Sequence, residues 1–356
     1  MAKRIAAFER TFGKSIEYDK GDCSDCYFMG RVLKNFQPDA VVYLGEMPSA
    51  PYSMIDVQHA MFTQQNNVLG TLSTLYAIKE NCPDAHLVKL GTMGEYGTPS
   101  CSIPEGTFPE GALWFDGHPD DCEANRVEGD LSGMLFPRRA GSWYHLSKVH
   151  DTYNVEFACR NWGLRSTDIM QGVVYGTRTP EMVSAELLTR FDFDECFGTA
   201  INRFCAQAVI GVPITPYGAG TQKRGFLPLV DSLQCLTIAI ENPPQAGEYR
   251  TFNQFDRVYS INALAEAVRE AMLCWTSAEV EIRSIDNPRK EAEDHSYNVV
   301  TDNLRKLGYT PKGNLDANLI EMLGDLIKWK DRIAEMQDSI RPKTRWDGTE
   351  RRSEYL

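Results

Sequence analysis

The sequence predicts a doubly wound α/β fold, a largely parallel sheet with helices on both faces, followed by a smaller and less regular α+β unit. Two observations carry this prediction. Short apolar runs alternate with helical patterns through the first half, and strands separated by helices imply parallel pairing. The chain is also long enough, at 356 residues, for one large domain or two interleaved ones. No internal repeat is visible.

Residues 15–18 and 41–45 read as buried strands, with a helix near 27–35 between them. A second helix spans about 66–81, with an apolar stripe through Val68, Leu72, Leu75 and Ile78, and 86–90 is the next strand. Residues 100–142 are rich in Pro, Gly and acidic side chains and read as a long irregular insertion. Its run from Phe115 to Asp121 holds Asp and His, and reads as a solvated acidic loop rather than a metal site. Periodicity returns with a helix at 147–161 and a strand at 165–169. Beyond Gly176, helices near 199–210, 261–274 and 315–336 and a strand near 280–283 make a substrate domain partly threaded back into the first. The boundaries are 1–176, 177–340 and a charged, mobile tail at 341–356.

A formal charge of −12 excludes a general nucleic-acid or anionic-membrane binder. Any anionic ligand must therefore meet a local cluster of Arg and Lys. No apolar run is long enough to span a bilayer, and the opening residues lack the apolar core of a signal peptide. Ten cysteines scattered singly read as reduced thiols in a cytosol-like compartment. Cys23 and Cys26 have C-x-x-C spacing without a second pair, and read as a strand end followed by a helix.

Tyr144 and Lys148 form Y-x-x-x-K at the start of a predicted helix, which puts both side chains on one face. A phenol must fall by about three pKa units to act as a base near neutrality, at a cost of about 4 kcal/mol. An ammonium about 4 Å away supplies a comparable amount at an effective dielectric of 20. Alone the pair is a weak signal, equally met by a packed Tyr beside a solvated Lys. Thr92 closes the strand at 86–90, where an open parallel sheet faces its ligand. Glu95 lies three residues further on, and reads equally as a loop carboxylate or a catalytic one.

The order Asn66 to Thr71 (NNVLGT), Gly91-Thr92, Tyr144-x-x-x-Lys148 and Gln171 to Gly176 (QGVVYG) resembles the extended short-chain dehydrogenase/reductase family. Within it, Ser49 to Met54 (SAPYSM), Lys89 to Gly97 (KLGTMGEYG), Tyr144 to His150 (YHLSKVH), Phe197 to Ala200 (FGTA) and Asn202 to Cys205 (NRFC) resemble the UDP-sulfoquinovose synthases. Asn287-Pro-Arg289 with Glu291 and Glu293 continues the match, which covers all but 100–142 and the last dozen or so residues. The resemblance implies a Rossmann-type sheet, NAD as a recycled cofactor, and UDP-glucose and sulfite (or a sulfite-donating protein) as partners. Tyr144 would take the C4 hydroxyl proton, Lys148 would lower its pKa and hold the nicotinamide ribose, and Thr92 would orient the C4 oxygen. Glu95 and His145 would carry protons at C5 and C6. Asp22, Cys23, Gly45, Asn67 and Gln171 join Tyr144 and Lys148 as cofactor residues. Met93, Gln171, Asn202, Tyr217, Arg224 and Arg289 would meet the nucleotide sugar, the two arginines through paired bonds to its pyrophosphate. A homodimer is expected, in the cytoplasm, or in a plastid stroma if a transit peptide has been lost with the front end.

Three departures from the family pattern stand out. No Gly-rich turn precedes residue 15, so the sheet is expected to be incomplete at its N-terminal side and residues 1–356 alone to retain no NAD. Pro48 stands where the family has a basic residue, and 228–230 replaces an acidic–apolar–basic triplet. These leave two alternatives open: another UDP-sugar epimerase or 4,6-dehydratase, or a non-catalytic nucleotide-sugar-binding relative.

Overall fold

The computed structural model describes residues 2–99, 101–116, 127–289 and 297–347. Helix α1 (Ala2–Phe12) lies against the second half, where Arg10 meets Glu186 at 2.6 Å. Helix α2 (Cys26–Phe36) starts at Asp25, whose carboxylate accepts the Tyr27 and Phe28 amides at 2.9 and 3.2 Å. Strand β1 (Ala40–Tyr43) leads into α3 (Ala50–Ser53) and α4 (Val57–Gln64). One π-helical stretch, Gln65–Leu69, joins α4 to α5 (Gly70–Asn81). There follow β2 (His86–Thr92), the hairpin of β3 (Leu113–Asp116) and β4 (Val127–Asp130), and the long helix α6 (Trp143–Trp162). Gly163, at φ +73°, ends α6 in the left-handed region that glycine adopts without strain.

Beyond it come β5 (Arg165–Gln171), β6 (Val173–Tyr175), α7 (Ala200–Ile210), β7 (Lys223–Pro228) and α8 (Leu229–Glu241). The chain continues through β8 (Tyr249–Gln254), β9 (Arg257–Ser260), α9 (Ile261–Thr276), α10 (Asp302–Lys306), α11 (Leu315–Leu326) and α12 (Lys330–Glu335).

The main sheet is parallel throughout, in the order β1-β2-β5-β8. On one face Met29 and Leu33 of α2, Leu75 and Ile78 of α5 and Val155 of α6 bury Leu87. On the other, Cys235 and Ala239 of α8 and Leu304 of α10 cover Val88, Ile169 and Phe252. A second core joins α7, α9 and α11 through Ile201, Phe204, Leu264, Val268, Leu319 and Leu323. A small sheet, β6-β7-β9, lies beside them. The register sets Thr92 opposite Gln171, so the carboxyl ends of β2 and β5 lie side by side.

Five expectations are corrected. Residues 15–18 form no strand; Ile16 and Tyr18 are exposed, and no described strand pairs with them. An apolar run with no partner cannot hold a strand. Residues 280–283 make only one isolated bridge, Ile282 with Ile214, followed by a second at Ile285 with Tyr217. The helix expected over 315–336 breaks at the 3-10 turn Ile327–Trp329. The tail is fixed over 341–347, where the amides of Lys343 and Thr344 donate to Glu195 and Trp346 donates to the Pro288 carbonyl at 3.0 Å. The insertion, too, carries order: the β3–β4 hairpin, and Glu105, which accepts the amides of Asn253, Asp302 and Asn303 at 2.8–3.2 Å. Most of the Asp/His run at 115–121, and Glu291 and Glu293, lie outside the described residues.

Candidate active site

Ser142 opens α6 by accepting the His145 amide at 3.2 Å, and its hydroxyl also meets His145 Nδ1 at 3.0 Å. The SAPYS string fixes the same helix end. Ser53 Oγ accepts the Tyr144 amide at 3.0 Å and donates to the Ala50 carbonyl at 2.7 Å, while Ser49 Oγ donates to the Cys196 carbonyl at 2.5 Å. Tyr144 and Lys148 follow one turn apart on one face of α6. His145 is brought against the turn after β2: a Cβ added at Gly94 would lie 2.3 Å from His145 Nε2. Thr92 caps that turn, its Oγ1 accepting the Gly94 amide at 3.2 Å. His145, its ring centroid 5.2 Å from that of Tyr144, is thus brought to the turn that Thr92 caps at the carboxyl end of β2.

Lys148 is buried, and its ammonium is ion-paired with Glu46 and donates to the Leu90 carbonyl. Glu46 was not foreseen. It follows β1, and Asn67 aims its loop: Asn67 Oδ1 accepts the Met47 amide at 2.7 Å, and Nδ2 donates to the Met47 carbonyl at 3.3 Å and to Ser147 Oγ at 2.9 Å. Asn67 can take this post because the π-helical stretch offsets it by one residue. Burial pushes the Tyr144 phenol well above its ordinary value, Glu46 and Glu95 add to the rise, and Lys89 opposes it. The expected lowering of that phenol is therefore absent in this state, with the Lys148 charge turned toward Glu46. His145 is pushed down to about 3 by burial and by the nearby charges of Arg289, Arg224 and Lys148, so it is neutral at physiological pH.

Beneath the site lies a buried charge network. Lys89 and Asp168 stand opposite one another in β2 and β5, 3.2 Å apart. Thr152 Oγ1 reaches Asp168 at 2.8 Å and Glu95 at 2.9 Å, and Arg138 lies 3.6 Å from Glu95. Glu95 is fully buried, with its carboxylate turned into this network. Burial raises its pKa to about 7 against the pull of Lys89 and Arg138. The signal was present in the sequence as Lys89, a charge between apolar residues of β2, and as Asp168 just before Ile169 and Met170 of β5.

The remaining expected residues are dispersed. Gln171 donates to Ser232 Oγ at 3.1 Å. Asn202 donates to the Asp192 carbonyl at 3.0 Å, and its buried Oδ1 accepts no hydrogen bond among the described residues. Tyr217 is buried under Arg203, whose guanidinium lies 4.2 Å over the ring and donates to its hydroxyl. Met93 packs with Tyr96, Phe136 and Met170 in an apolar cluster rather than presenting a free face. Arg289 lies 5.0 Å over Trp346, and Arg224, on β7, bonds the Lys223 carbonyl at 2.7 Å. Asp22 is exposed and binds Ser24; Cys23 packs against Gly45, where an added Cβ would meet its sulfur at 2.8 Å.

A family model, the NAD-dependent epimerase/dehydratase family, matches residues 3–253. The chain belongs to this family. Members are NAD-dependent. The start of α2 suits a pyrophosphate poorly, because the Asp25 carboxylate already takes its first amides. Among family members, the chain is 46% identical to UDP-sulfoquinovose synthase, chloroplastic, of Spinacia oleracea over 96% of this chain and 68% of that protein. It is 44% identical to UDP-sulfoquinovose synthase of Sulfolobus acidocaldarius over 97% and 84% respectively. Among solved structures, UDP-glucose 4-epimerase of Thermotoga maritima with UDP-glucose superposes with a TM-score of 0.65 at 17% identity, covering 90% of this chain and 87% of that one. The dTDP-glucose 4,6-dehydratase of Streptomyces venezuelae gives 0.65 at 18%, covering 92% and 86%. These two likenesses establish the shared fold.

Proposed function

We propose that this family member makes UDP-sulfoquinovose from UDP-glucose and sulfite. The observation that carries the reading is the identity of 46% and 44% with two UDP-sulfoquinovose synthases across nearly the whole chain. NAD, when bound, accepts the C4 hydride and later returns it. Tyr144 takes the C4 hydroxyl proton, Thr92 orients that oxygen, and Lys148 would hold the nicotinamide ribose. The resulting 4-ketone acidifies C5–H. In this reading His145 and Glu95 share the proton traffic at C5 and C6, and the C6 hydroxyl leaves with a proton as water. With its pKa pushed down to about 3, His145 is the better donor of the two and the weaker base. Glu95, with a pKa near 7, keeps a proton close to the end of β2 for this traffic. Sulfite adds at C6, C5 is reprotonated, and C4 regains hydride and proton. UDP-glucose and bisulfite thus give UDP-sulfoquinovose and water.

Arg224 and Arg289 serve as pyrophosphate ligands in this reading, supported by their joint electrostatic reach to His145. A homodimer is part of the proposal, supported by Met61 and Phe62 on α4 and Tyr153 and Phe157 on α6, all exposed. A 4,6-dehydratase is the second reading, favoured by Pro48 and by residues 228–230 in place of charged ones. Incubation with NAD, UDP-glucose and labelled sulfite decides between them. The expected product is labelled UDP-sulfoquinovose; a 4-keto-6-deoxy sugar formed without sulfite would overturn it. Tyr144→Phe is expected to lower the rate by roughly 10² to 10⁴.

A further inference from the structure

The residues that close the described chain, 337–347, form a strap rather than a free tail. It lies across the second half, walling a cavity of about 420 Å³ with Gln207, Thr215 and Arg283. Two anchors hold it. Glu195, buried in the loop before α7, donates its amide to the Ser339 carbonyl at 2.8 Å and accepts the Lys343 and Thr344 amides. Trp346 donates its amide to Pro288 and lays its indole against the guanidinium of the next residue, Arg289. The first anchor leads back to the active site, since Cys196, beside Glu195, accepts the Ser49 hydroxyl that fixes α3 at the start of α6.

We propose that the strap belongs to the nucleotide-sugar site, with Trp346 a positioning residue that aims Arg289 at the pyrophosphate of a nucleoside diphosphate. A planar guanidinium stacked on an indole keeps its edge donors free while losing rotational freedom. That pre-organises paired bonds to phosphate oxygens, which a mobile arginine would make at an entropic cost. No motif singled out in the sequence falls within the strap, so nothing in the motifs foreshadowed this role. The inference rests on the placement of Arg289 under the proposed function.

Calorimetric titration of the full chain with UDP and with uridine tests it. Trp346→Ala is expected to weaken UDP by about 10-fold while leaving uridine unchanged, and Trp346→Phe to restore binding to within about 3-fold. A merely structural role for Trp346 would weaken both ligands together. Glu195→Gln, which loosens the other anchor, is expected to weaken UDP by about 3-fold or more, and serves if the Trp346 variants do not fold. Arg289→Ala separates the two ways to fail. If it weakens UDP and neither Trp346→Ala nor Glu195→Gln does, the strap inference is overturned. If Arg289→Ala binds UDP as the unmodified chain does, the placement of Arg289 falls, and the strap with it.

Discussion

Tyr144 sits in a field set by carboxylates more than by the lysine one turn away. Glu46 is the nearest of these in effect, and its ion pair with Lys148 removes much of the positive potential a phenolate would need. Asp151 and Glu95 act in the same direction, with Lys89 opposed. Removing the negative charge at 46 favours the ionised phenol, so its pKa must fall. Glu46→Gln is therefore expected to move the acid limb of the kcat/KM–pH profile to lower pH by about one unit or more. An unmoved limb would mean that Glu46 only anchors its loop. The residue was illegible in the motifs because its role depends on a contact made across about a hundred residues of chain, between the end of β1 and α6.

At the level of elements, the site depends on how closely α6 approaches the turn after β2. Gly94 has no side chain where His145 Nε2 stands, and a methyl there would overlap the imidazole. Gly94→Ala is expected to displace His145 and lower kcat by about 10-fold or more, with little change in KM, as loss of one positioned proton carrier predicts. Steady-state kinetics with UDP-glucose and sulfite check this. The elements that alternation and periodicity revealed include α2, β1, α5, β2, α6, β5, α7 and α9. β8 was missed because its sequence, YRTFNQ, carries Asn253 and Gln254 into the interior. Asn253 is satisfied there by the Pro104 and Val300 carbonyls at 3.0 and 2.9 Å, partners no local pattern announces. Residues 15–18 misled for the opposite reason: the pattern was right for a strand and no partner exists for it among the described residues.

For the whole molecule, burial of basic groups ties stability to pH. His86, fully enclosed at the start of β2, has its pKa pushed down to about 4 by burial, with Arg250 and Arg165 adding to the effect. The unfolded chain binds that proton first, near pH 6.5. The stability His86 contributes is thus present above pH 6.5 and lost as pH falls toward 4, by up to about 3 kcal/mol. His86→Gln is expected to flatten this part of the profile in urea denaturation at pH 7 and pH 4.5. Equal loss of stability in both proteins would assign the acid sensitivity to other groups.

The sheet has a further consequence, in time rather than in energy. β5 pairs with β8, which the ribosome delivers only after the whole stretch 172–248 has been made. At about 5–20 residues per second, the outer edge of β5 waits several seconds without its neighbour. During that interval it is an open parallel edge with Ile169 and Met170 close behind it, a surface that another nascent chain can pair with. Slower translation through 172–248 lengthens the exposure, so the yield of folded protein should depend on codon choice in that stretch more than in the stretch encoding the strap.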